Sequence, residues 1–434
     1  FHEKAARLYR FGYTVSNGMQ IASVPPPIAP PLKSFYPEVE EVARIYGRNV
    51  SISLPGSSDA FEETRVMFAD SAITNMFSFD FISGNPKRAL CDKFTVVINE
   101  EMANKYFGDK NPIGETLIFS GKHSFKVIAV VKDFPENSHI RFNMLVPYDD
   151  MYELEDEKTE QVLRANFLKN FSISHSYTYV LLKEGNTAEH INATMPQFLK
   201  KNAHPKALVG QTFSLMPMVD IHLKSTFEGE PTPTNSMSNI YIFMAVGIVT
   251  LLIAAINYIN LSTAQSLTRM KEFGLRKILG SLKSQLILQF LAESFLFCAI
   301  SLMAAYLVFF FALPPLNLIA GKNLHFMEVV DIKLILMSFG LLLLLTVLSG
   351  SYPAYFVTKF ESISALKGIS SGGGRRQLMR KALVVFQLVI ACILLSGSML
   401  IVKQLNFLES KPLGYQKDHV INIPLQSQNL NGFF

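Results

Sequence analysis

The sequence has few of the residues that build a metal site or a disulfide framework. Its three cysteines, Cys91, Cys298 and Cys392, lie far apart, and two of them fall inside apolar runs. This spacing offers neither a disulfide framework nor a CxxC metal pair. The nine histidines are scattered, without the HxxxH or HExxH spacing of metal ligands. We therefore expect no bound metal.

Motifs for phosphate binding and nucleophilic catalysis are lacking or out of context. The 434 residues contain no G-x-x-x-x-G-K-[ST] phosphate loop, so ATP binding must be supplied elsewhere. Residues 368–372 match G-x-S-x-G and residues 364–367 match S-x-x-K, but both lie in a loop rich in Gly, Ser and Arg. That loop has no strand and helix to form a nucleophile elbow. We predict that the chain is not an enzyme, has no catalytic residue and binds no cofactor directly.

Charge is scarce and is missing from long stretches. Asp, Glu, Lys and Arg make up 17% of the chain, whereas 49% of it is hydrophobic. Soluble domains carry about 25% charged residues. Residues 240–268, 334–358 and 382–402 contain no charge, and residues 284–321 contain only Glu293. A hydrocarbon core about 30 Å thick needs roughly 20 helical residues. The four stretches therefore predict an all-α transmembrane bundle of four helices.

Basic residues are concentrated in two of the loops between these stretches. Loop 264–283 carries five basic residues and loop 359–381 carries six, each against one acid. The charges of loop 313–333 are balanced. The positive-inside rule places the two basic loops in the cytoplasm. Residues 1–239, the loop 313–333 and the tail 403–434 are then extracytoplasmic.

Residues 1–239 read as an α+β domain with a mixed sheet, and their mildly acidic charge argues against nucleic acid as a partner. Strands are predicted over residues 94–98, 116–119, 125–131 and 177–182. Asn99 is predicted to cap a helix that ends at Gly108. An amphipathic helix is predicted over 187–201, with its inward side chains at Ile191, Met195, Phe198 and Leu199.

Composition predicts the remaining organisation. Residues 153–160 form an acidic run, read as a solvated loop or helix face, and residues 226–239 read as a linker into the membrane. We assign residues 1–239 to the extracytoplasmic domain and 240–380 to three transmembrane helices. Residues 381–434 add a fourth helix and the start of a second external domain. Because residues 1–30 show no export signal, we expect a further transmembrane helix before Phe1.

Several separated blocks resemble one known family. RVMFADSAITNMFSFDFISGNPKRAL, FTVVINEEMANKYFGDKNPIGETL and FKVIAVVKDFPENSHIRFNMLVPYD resemble the periplasmic core domain of MacB-type ABC transporter permeases. NYINLSTAQSLTRMKEFGLRKILG resembles the start of the FtsX-like permease domain, and SYPAYFVTKFESISALKG resembles its end. The blocks follow the expected order over nearly the whole chain. The chain resembles the first half of a longer two-repeat permease.

The resemblance implies a bacterial inner-membrane permease that works as a homodimer or heterodimer with an ABC ATPase subunit, separate or fused. ATP would act through that partner, and its movements would be passed to the external domains. The cargo would be an antimicrobial peptide, a macrolide or a lipoprotein, or the movement itself would be the signal. A periplasmic adaptor is a further possible partner. The alternatives are a membrane-anchored receptor and a binding scaffold without an ATPase.

The loop 269–280 is the best functional candidate. Apolar residues recur there at helical spacing, at Leu275, Ile278, Leu279, Leu282 and Leu286. This pattern would lay them on the membrane with the basic side chains facing away. From the residues alone, a basic loop that obeys the positive-inside rule is the simpler interpretation. The resemblance implies a coupling helix that docks on the ATPase, with candidate residues Arg269, Lys271, Glu272, Gly274, Arg276, Lys277 and Gly280.

Three polar residues inside the spans form a second candidate set. Glu293 lies about nine residues into its span, roughly 13 Å along the helix. An ionisable residue at that depth is costly and often functional. The structural alternative is a shallow position with a hydrogen bond to Asn257 or Asn260 of the preceding span. In addition, Gly280 is predicted to end the coupling helix and Ser281 to cap the next span.

Overall fold

The computed structural model describes residues 2–135, 138–202, 210–268, 272, 275–276, 279–359 and 373–411. The chain divides into two compact units, one comprising Phe1–Asn239 and the other beginning at Ile240. The first contains a mixed sheet with helices, and the second is helical. The predicted fold class, an α+β domain joined to an all-α bundle of four helices, is therefore confirmed.

The described part of the first unit contains one sheet of eleven strands. The strands are β1 Leu8–Val15, β2 Gln20–Ile21, β3 Val39–Ser53, β4 Ala60–Ala69, β5 Phe81–Gly84, β6 Thr95–Asn99, β7 Thr116–Phe119, β8 His123–Val131, β9 Met144–Pro147, β10 Tyr177–Leu182 and β11 Gln211–Pro217. Their order is β11-β1-β10-β3-β4-β9-β6-β8-β5, with β2 beside β1 and β7 between β3 and β8. Two of the described pairs, β4 with β9 and β6 with β8, are parallel.

Six strands close into a circuit. The order β3-β4-β9-β6-β8-β7 returns to β3, where Ile52 lies opposite Phe119. A closed circuit leaves no free strand edge among its members. The rings of Phe119 and Phe125 lie 4.1 Å apart between centroids and are fully buried. They belong to a hydrophobic cluster that the circuit shares with the helix after β6.

Seven described helices pack around the sheet. They are α1 Ala29–Phe35, α2 Ile73–Met76, α3 Glu100–Phe107, α4 Asp150–Glu153, α5 Glu157–Lys169, α6 Glu189–Asn202 and α7 Met218–Lys224. The side chain of Asn99 accepts from the N–H of Met102 at 3.1 Å and so begins α3, and Gly108, with φ +57°, ends it. Both predictions are confirmed, and α6 buries the four predicted side chains.

The described part of the second unit consists of four long apolar helices and one short helix. They are α8 Met237–Thr268, α9 Lys283–Ala320, the short α10 Phe326–Val329, α11 Ile332–Lys359 and α12 Gly373–Ser410. Each of α8, α9, α11 and α12 is long and apolar enough to cross a bilayer, and we call them the first to fourth spans. Residues 412–434, which include the predicted start of a second external domain, lie outside the described residues.

Three local predictions were wrong. The second span continues to Ala320 through Pro314 and Pro315, so residues 313–320 are helix and not loop. The acidic run is paired, because Glu153 binds Lys93 and Arg164 and Glu155 binds Arg48. The residue that caps α9 is Leu282 and not Ser281, and its N–H donates to the Gln285 side chain at 3.1 Å.

The linker 226–239 does lead into the first span, but it is more ordered than its composition indicates. Its first residues are bound to the sheet: the N–H of Glu228 donates to the carbonyl of Gln20 at 2.7 Å, and the N–H of Ala22 donates to the carbonyl of Glu228 at 3.1 Å. Its last residues are helical, since α8 begins at Met237. Composition marked the segment as polar and Pro-rich but gave no sign that its backbone would pair with the sheet.

Candidate functional site: the coupling segment and its link to the second span

The structure describes only part of the coupling segment, residues 269–280. Arg269, Lys271, Gly274 and Lys277 lie outside the described residues, whereas Glu272, Arg276 and Gly280 are described. Gly280 has φ +96°, and the N–H of Ser281 donates to the carbonyl of Arg276 at 3.0 Å. A residue of left-handed conformation followed by a bond that returns five residues is the usual helix ending at glycine.

Arg276 connects the segment to the second span. Its guanidinium donates to Glu272 at 2.6 Å, one helical turn earlier, and to the side-chain oxygen of Gln289 at 3.1 Å. The side-chain nitrogen of Gln289 in turn donates to Glu293 at 3.1 Å. Four side chains thus form one chain of hydrogen bonds that runs from the segment into the second span. The helical pattern predicted that Arg276 faces away from the membrane; its guanidinium is in fact bonded to a residue of the second span.

Two leucines of the segment are left exposed by this arrangement. Leu275 and Leu279 lie one turn apart, and Leu279 is 77% exposed. Leu282 is also exposed, whereas Leu286 is buried within the second unit. The predicted apolar stripe therefore divides into a buried part on the span and an exposed part on the segment. An exposed apolar pair beside a fixed arginine has the composition of the centre of a protein interface.

The predicted intramembrane set is only partly brought together. Asn260 does not donate to Glu293, because its side-chain nitrogen is buried and has no hydrogen-bond partner among the described residues. Asn257 is exposed. The first and second spans are joined instead by Tyr258, whose hydroxyl lies 3.1 Å from the hydroxyl of Ser294. Glu293 is therefore bound from its own helix, by Gln289.

The second and third spans approach closely at Gly350. A Cβ on Gly350 would lie 2.9 Å from the hydroxyl of Ser294 and 3.0 Å from Leu291. Twelve residues nearer the other end, Tyr306 bonds Ser338 at 2.7 Å. Sequence reasoning missed these contacts. The signals that could have found them are the small-residue run at residues 349–351, typical of packed membrane helices, and the i, i+4 spacing of Gln289 and Glu293.

In the first unit, a strap formed by residues 225–235 is fixed on β1 through buried charges. The guanidinium of Arg10 is fully buried and binds Glu230, which is 7% exposed. It also lies 5.2 Å from the ring centroid of Phe227, and Phe227 occupies the place that a Cβ on Gly12 would need. Sequence reasoning did not single out Arg10.

Further contacts hold the rest of the strap. The hydroxyl of Tyr177 donates to the carbonyl of Gly229 at 2.6 Å, and that of Thr232 donates to the carbonyl of His139 at 3.3 Å. His139 Nε2 lies 2.8 Å from the hydroxyl of Tyr179. Burial, with repulsion from Arg10, lowers the pKa of His139 to about 3, so the imidazole is neutral at pH 7. Ser236 alone separates the strap from α8, which begins at Met237.

Within the described ranges, no three His, Cys, Asp or Glu side chains are grouped so that they could hold a metal ion. The three cysteines, all within the described residues, form no disulfide: Cys91 and Cys392 are exposed, and Cys298 is half-buried.

Comparison with known proteins gives two family matches. Residues 3–198 match the MacB-like periplasmic core domain, and residues 244–362 match the FtsX-like permease C-terminal family. Over 331 residues, the chain is 28% identical to the macrolide export ATP-binding/permease protein MacB of Bdellovibrio bacteriovorus. That alignment covers 74% of this chain and 44% of the relative, so the chain spans less than half the length of this relative.

Two solved structures are similar to half of this chain. A domain of a permease protein from Porphyromonas gingivalis matches with a TM-score of 0.42 and 22% identity, covering 50% of this chain and 93% of that domain. The periplasmic region of MacB from Actinobacillus actinomycetemcomitans matches with a TM-score of 0.36 and 14% identity, covering 50% and 91%.

Proposed function

Because the chain belongs to the MacB/FtsX type of ABC transporter permease, we propose that it couples ATP hydrolysis on a partner ATPase to movement of its extracytoplasmic unit. The family matches confirm the resemblance found in the sequence. The prediction of a membrane protein with an extracytoplasmic segment is confirmed as well. The observation that carries the proposal is the chain of hydrogen bonds from Glu272 and Arg276 through Gln289 to Glu293.

The exposed side of the coupling segment is the docking surface in this proposal. Leu275 and Leu279 insert into an apolar depression on the ATPase. Because Arg276 is bonded to the second span, a displacement of the two leucines is passed to that span. Interface cores are apolar and depleted of charged residues, and their rims are polar.

The strap forms the outer end of the pathway. The first span is continuous with the strap, and the strap is hydrogen-bonded to β1, β2 and β10 of the sheet. A pull on the first span must therefore either move the sheet or break the buried pair of Arg10 and Glu230. Such a connection suits transmission of force better than a flexible linker would.

The polar groups of the spans support force transmission over solute passage. Tyr258 bonds Ser294 between the first and second spans, and Tyr306 bonds Ser338 between the second and third. These polar groups are used to hold helices together. A pathway for a polar cargo would instead need such groups along a cavity. We therefore place the cargo, of the peptide, macrolide or lipoprotein class, at the extracytoplasmic units of a dimer of permeases, with or without a periplasmic adaptor.

The proposed setting is the bacterial inner membrane, with the coupling segment in the cytoplasm. The MacB relatives are named as combined ATP-binding and permease proteins. These 434 residues, by contrast, contain no phosphate loop. In our proposal, a separate ATPase subunit supplies ATP binding.

Charge reversal in the coupling segment tests the proposal. The chain is reconstituted in nanodiscs with the ATPase that co-purifies with it, and ATPase activity is compared with that of the ATPase alone. Arg276→Glu should abolish most of the response to the permease, and Gln289→Leu should weaken it. Lys283→Glu is the matched control, because Lys283 begins α9 and has the same charge but stands outside the hydrogen-bond chain. An equal response in all three variants, or no co-purifying ATPase, would favour a membrane-anchored receptor or scaffold.

A further inference from the structure

The second span is much longer than a bilayer is thick. It has 38 residues, and at 1.5 Å per residue it is about 57 Å long, against a hydrocarbon core of about 30 Å. A straight helix of this length would need a tilt of almost 60° to fit, which exceeds the usual range of about 0–40°. If Lys283 marks one boundary of the core, the other falls near residue 303.

The part beyond that boundary is apolar although it extends past the core. Residues 304–320 contain no charge, and the first charge after them is Lys322. Among the described residues, no large apolar side chain is more exposed than Leu318 at 86%, and Ile319 and Met327 follow at 84% each. A surface this apolar outside the bilayer core needs a cover, because isolated membrane-external segments rarely expose such patches to water.

The turn after α9 is built as a fixed structure. The side chain of Asn317 donates to the carbonyl of Leu324 at 2.9 Å and accepts from its N–H at 3.2 Å. Gly321, in the left-handed conformation, ends α9. The ring of Phe326 lies 5.4 Å from that of Phe310 and 6.0 Å from that of Phe309. The tip therefore satisfies its own polar groups and turns its apolar side chains outward.

We propose that this outer hairpin, residues 304–340, lies in the acyl-chain boundary of the outer leaflet and anchors the second and third spans to lipid. Pro314 and Pro315 withhold two helical hydrogen bonds, so the span can bend there and run along the membrane surface. The turn carries Lys322 and Lys333 against Glu328 and Asp331. These charges are balanced, so the surface recognises the apolar interior of lipid and not an anionic headgroup.

Tryptophan fluorescence gives a direct test, because the chain contains no tryptophan of its own. The full chain is reconstituted into phosphatidylcholine vesicles whose acyl chains are brominated either near the headgroup or near the chain terminus. Ile319→Trp and Met327→Trp are the test variants. Leu296→Trp, exposed in the middle of the second span, is the control for deep lipid. Val219→Trp, exposed on α7 of the first unit, is the control for water.

We expect blue-shifted emission from Ile319→Trp and Met327→Trp, with stronger quenching by the shallow bromines than by the deep ones. Leu296→Trp should show the opposite order, and Val219→Trp should be quenched by aqueous iodide alone. Red-shifted emission with iodide quenching at residues 319 and 327 would overturn the proposal. Blue-shifted emission without bromine quenching would also overturn it, because protein would then cover the hairpin. These readouts do not involve the ATPase, so they stand or fall separately from the proposed function.

Discussion

Arg10 and Glu230 lie 220 residues apart in the chain and form an ion pair that is almost completely withdrawn from water. Arg10 stands on the first strand, and Glu230 stands on the strap that leads into the first span. Taking two charges out of water costs several kcal/mol each, and the pair recovers that cost only while both partners are present. The attachment of the strap therefore depends on both side chains.

Removing one partner should release the strap. Arg10→Met leaves Glu230 buried and unpaired, and we expect a loss of about 3–5 kcal/mol of local stability. The double variant Arg10→Met, Glu230→Met should recover part of that loss, since it leaves no uncompensated charge. Hydrogen exchange of the amides of residues 225–235, measured on the chain in nanodiscs, reports the change.

The matched control is Arg7→Met. Arg7 is 23% exposed and pairs with Glu40, which is 37% exposed, at 2.8 Å. A pair of this exposure contributes only about 0–1 kcal/mol. Equal exchange in Arg7→Met and Arg10→Met would show that burial of the Arg10 pair has no special importance for the strap.

A side chain at Gly350 should separate the second and third spans. Gly350→Val places methyl groups against Ser294 and Leu291, where even a Cβ has no room, and overpacking of this kind costs about 1–3 kcal/mol. Half-buried Cys298 on the second span serves as the reporter once Cys91 and Cys392 are replaced by Ser. The temperature at which Cys298 reacts with a thiol-reactive dye should fall. The control is Gly340→Ala in the same helix, where an added Cβ meets no atom within 4 Å and should not lower this temperature. An equal fall in Gly340→Ala would show that the loss of a glycine from the helix, and not contact between the spans, causes the effect.

Acid should destabilise the first unit through His139. Burial lowers the pKa of His139 in the folded state to about 3, below the ordinary value of 6.5. Between these two pH values the unfolded chain therefore binds a proton at His139, whereas the folded chain does not. The contribution of His139 to the free energy of unfolding is complete above pH 6.5. It is lost as the pH falls toward 3, by up to about 1.4 kcal/mol per pH unit.

Two other buried groups act in the same pH range. Burial lowers the pKa of His175 to about 4, which adds to the loss in acid. Burial raises the pKa of Asp150 to about 6, which opposes it, because that carboxyl favours folding more as the pH falls through 6. His139→Gln should reduce the slope by about one proton. Urea unfolding at pH 5 and pH 8, followed by near-ultraviolet circular dichroism, measures this pH dependence of the free energy of unfolding. If His139→Gln lowered that free energy equally at both pH values, the effect would come from packing alone.

Topology can be tested with two introduced cysteines. Ser58 and Leu279 are both exposed, one on the first unit and one on the coupling segment. In a cysteine-free background, a membrane-impermeant maleimide applied to spheroplasts should label Ser58→Cys and leave Leu279→Cys unlabelled until the membrane is permeabilised. Labelling of Leu279→Cys in intact spheroplasts would reverse the orientation that the loop charges predict.

Local pattern predicted the elements whose cause is local. The β-branched and aromatic runs at residues 116–119 and 177–182 became β7 and β10 with the same bounds. Asn99 and Gly108 mark the ends of α3 because capping depends on a few neighbouring residues. The four spans followed from length and composition.

Contacts between distant residues could not be predicted in this way. No feature near Arg10 points to a partner 220 residues away. Residues 313–320, which include the paired prolines, were predicted as part of a loop, although a long apolar helix can continue through prolines. Of the coupling segment, the sequence supplied the candidate residues, whereas the bond from Arg276 to Gln289 depends on how the loop folds back. The roles of the candidate residues stay predictions.

Tyr9 near the start of β1 lies opposite Pro217 at the end of β11. The segment between these two residues contains nearly the whole sheet. Its two ends therefore lie at paired backbone positions about 5 Å apart. An insert with adjoining ends can be exchanged as a module without altering its host. Recombination between related permeases could therefore replace most of the first unit while keeping the same membrane helices. The incoming segment must supply a buried cation at the position of Arg10, because Glu230 stays behind with the recipient.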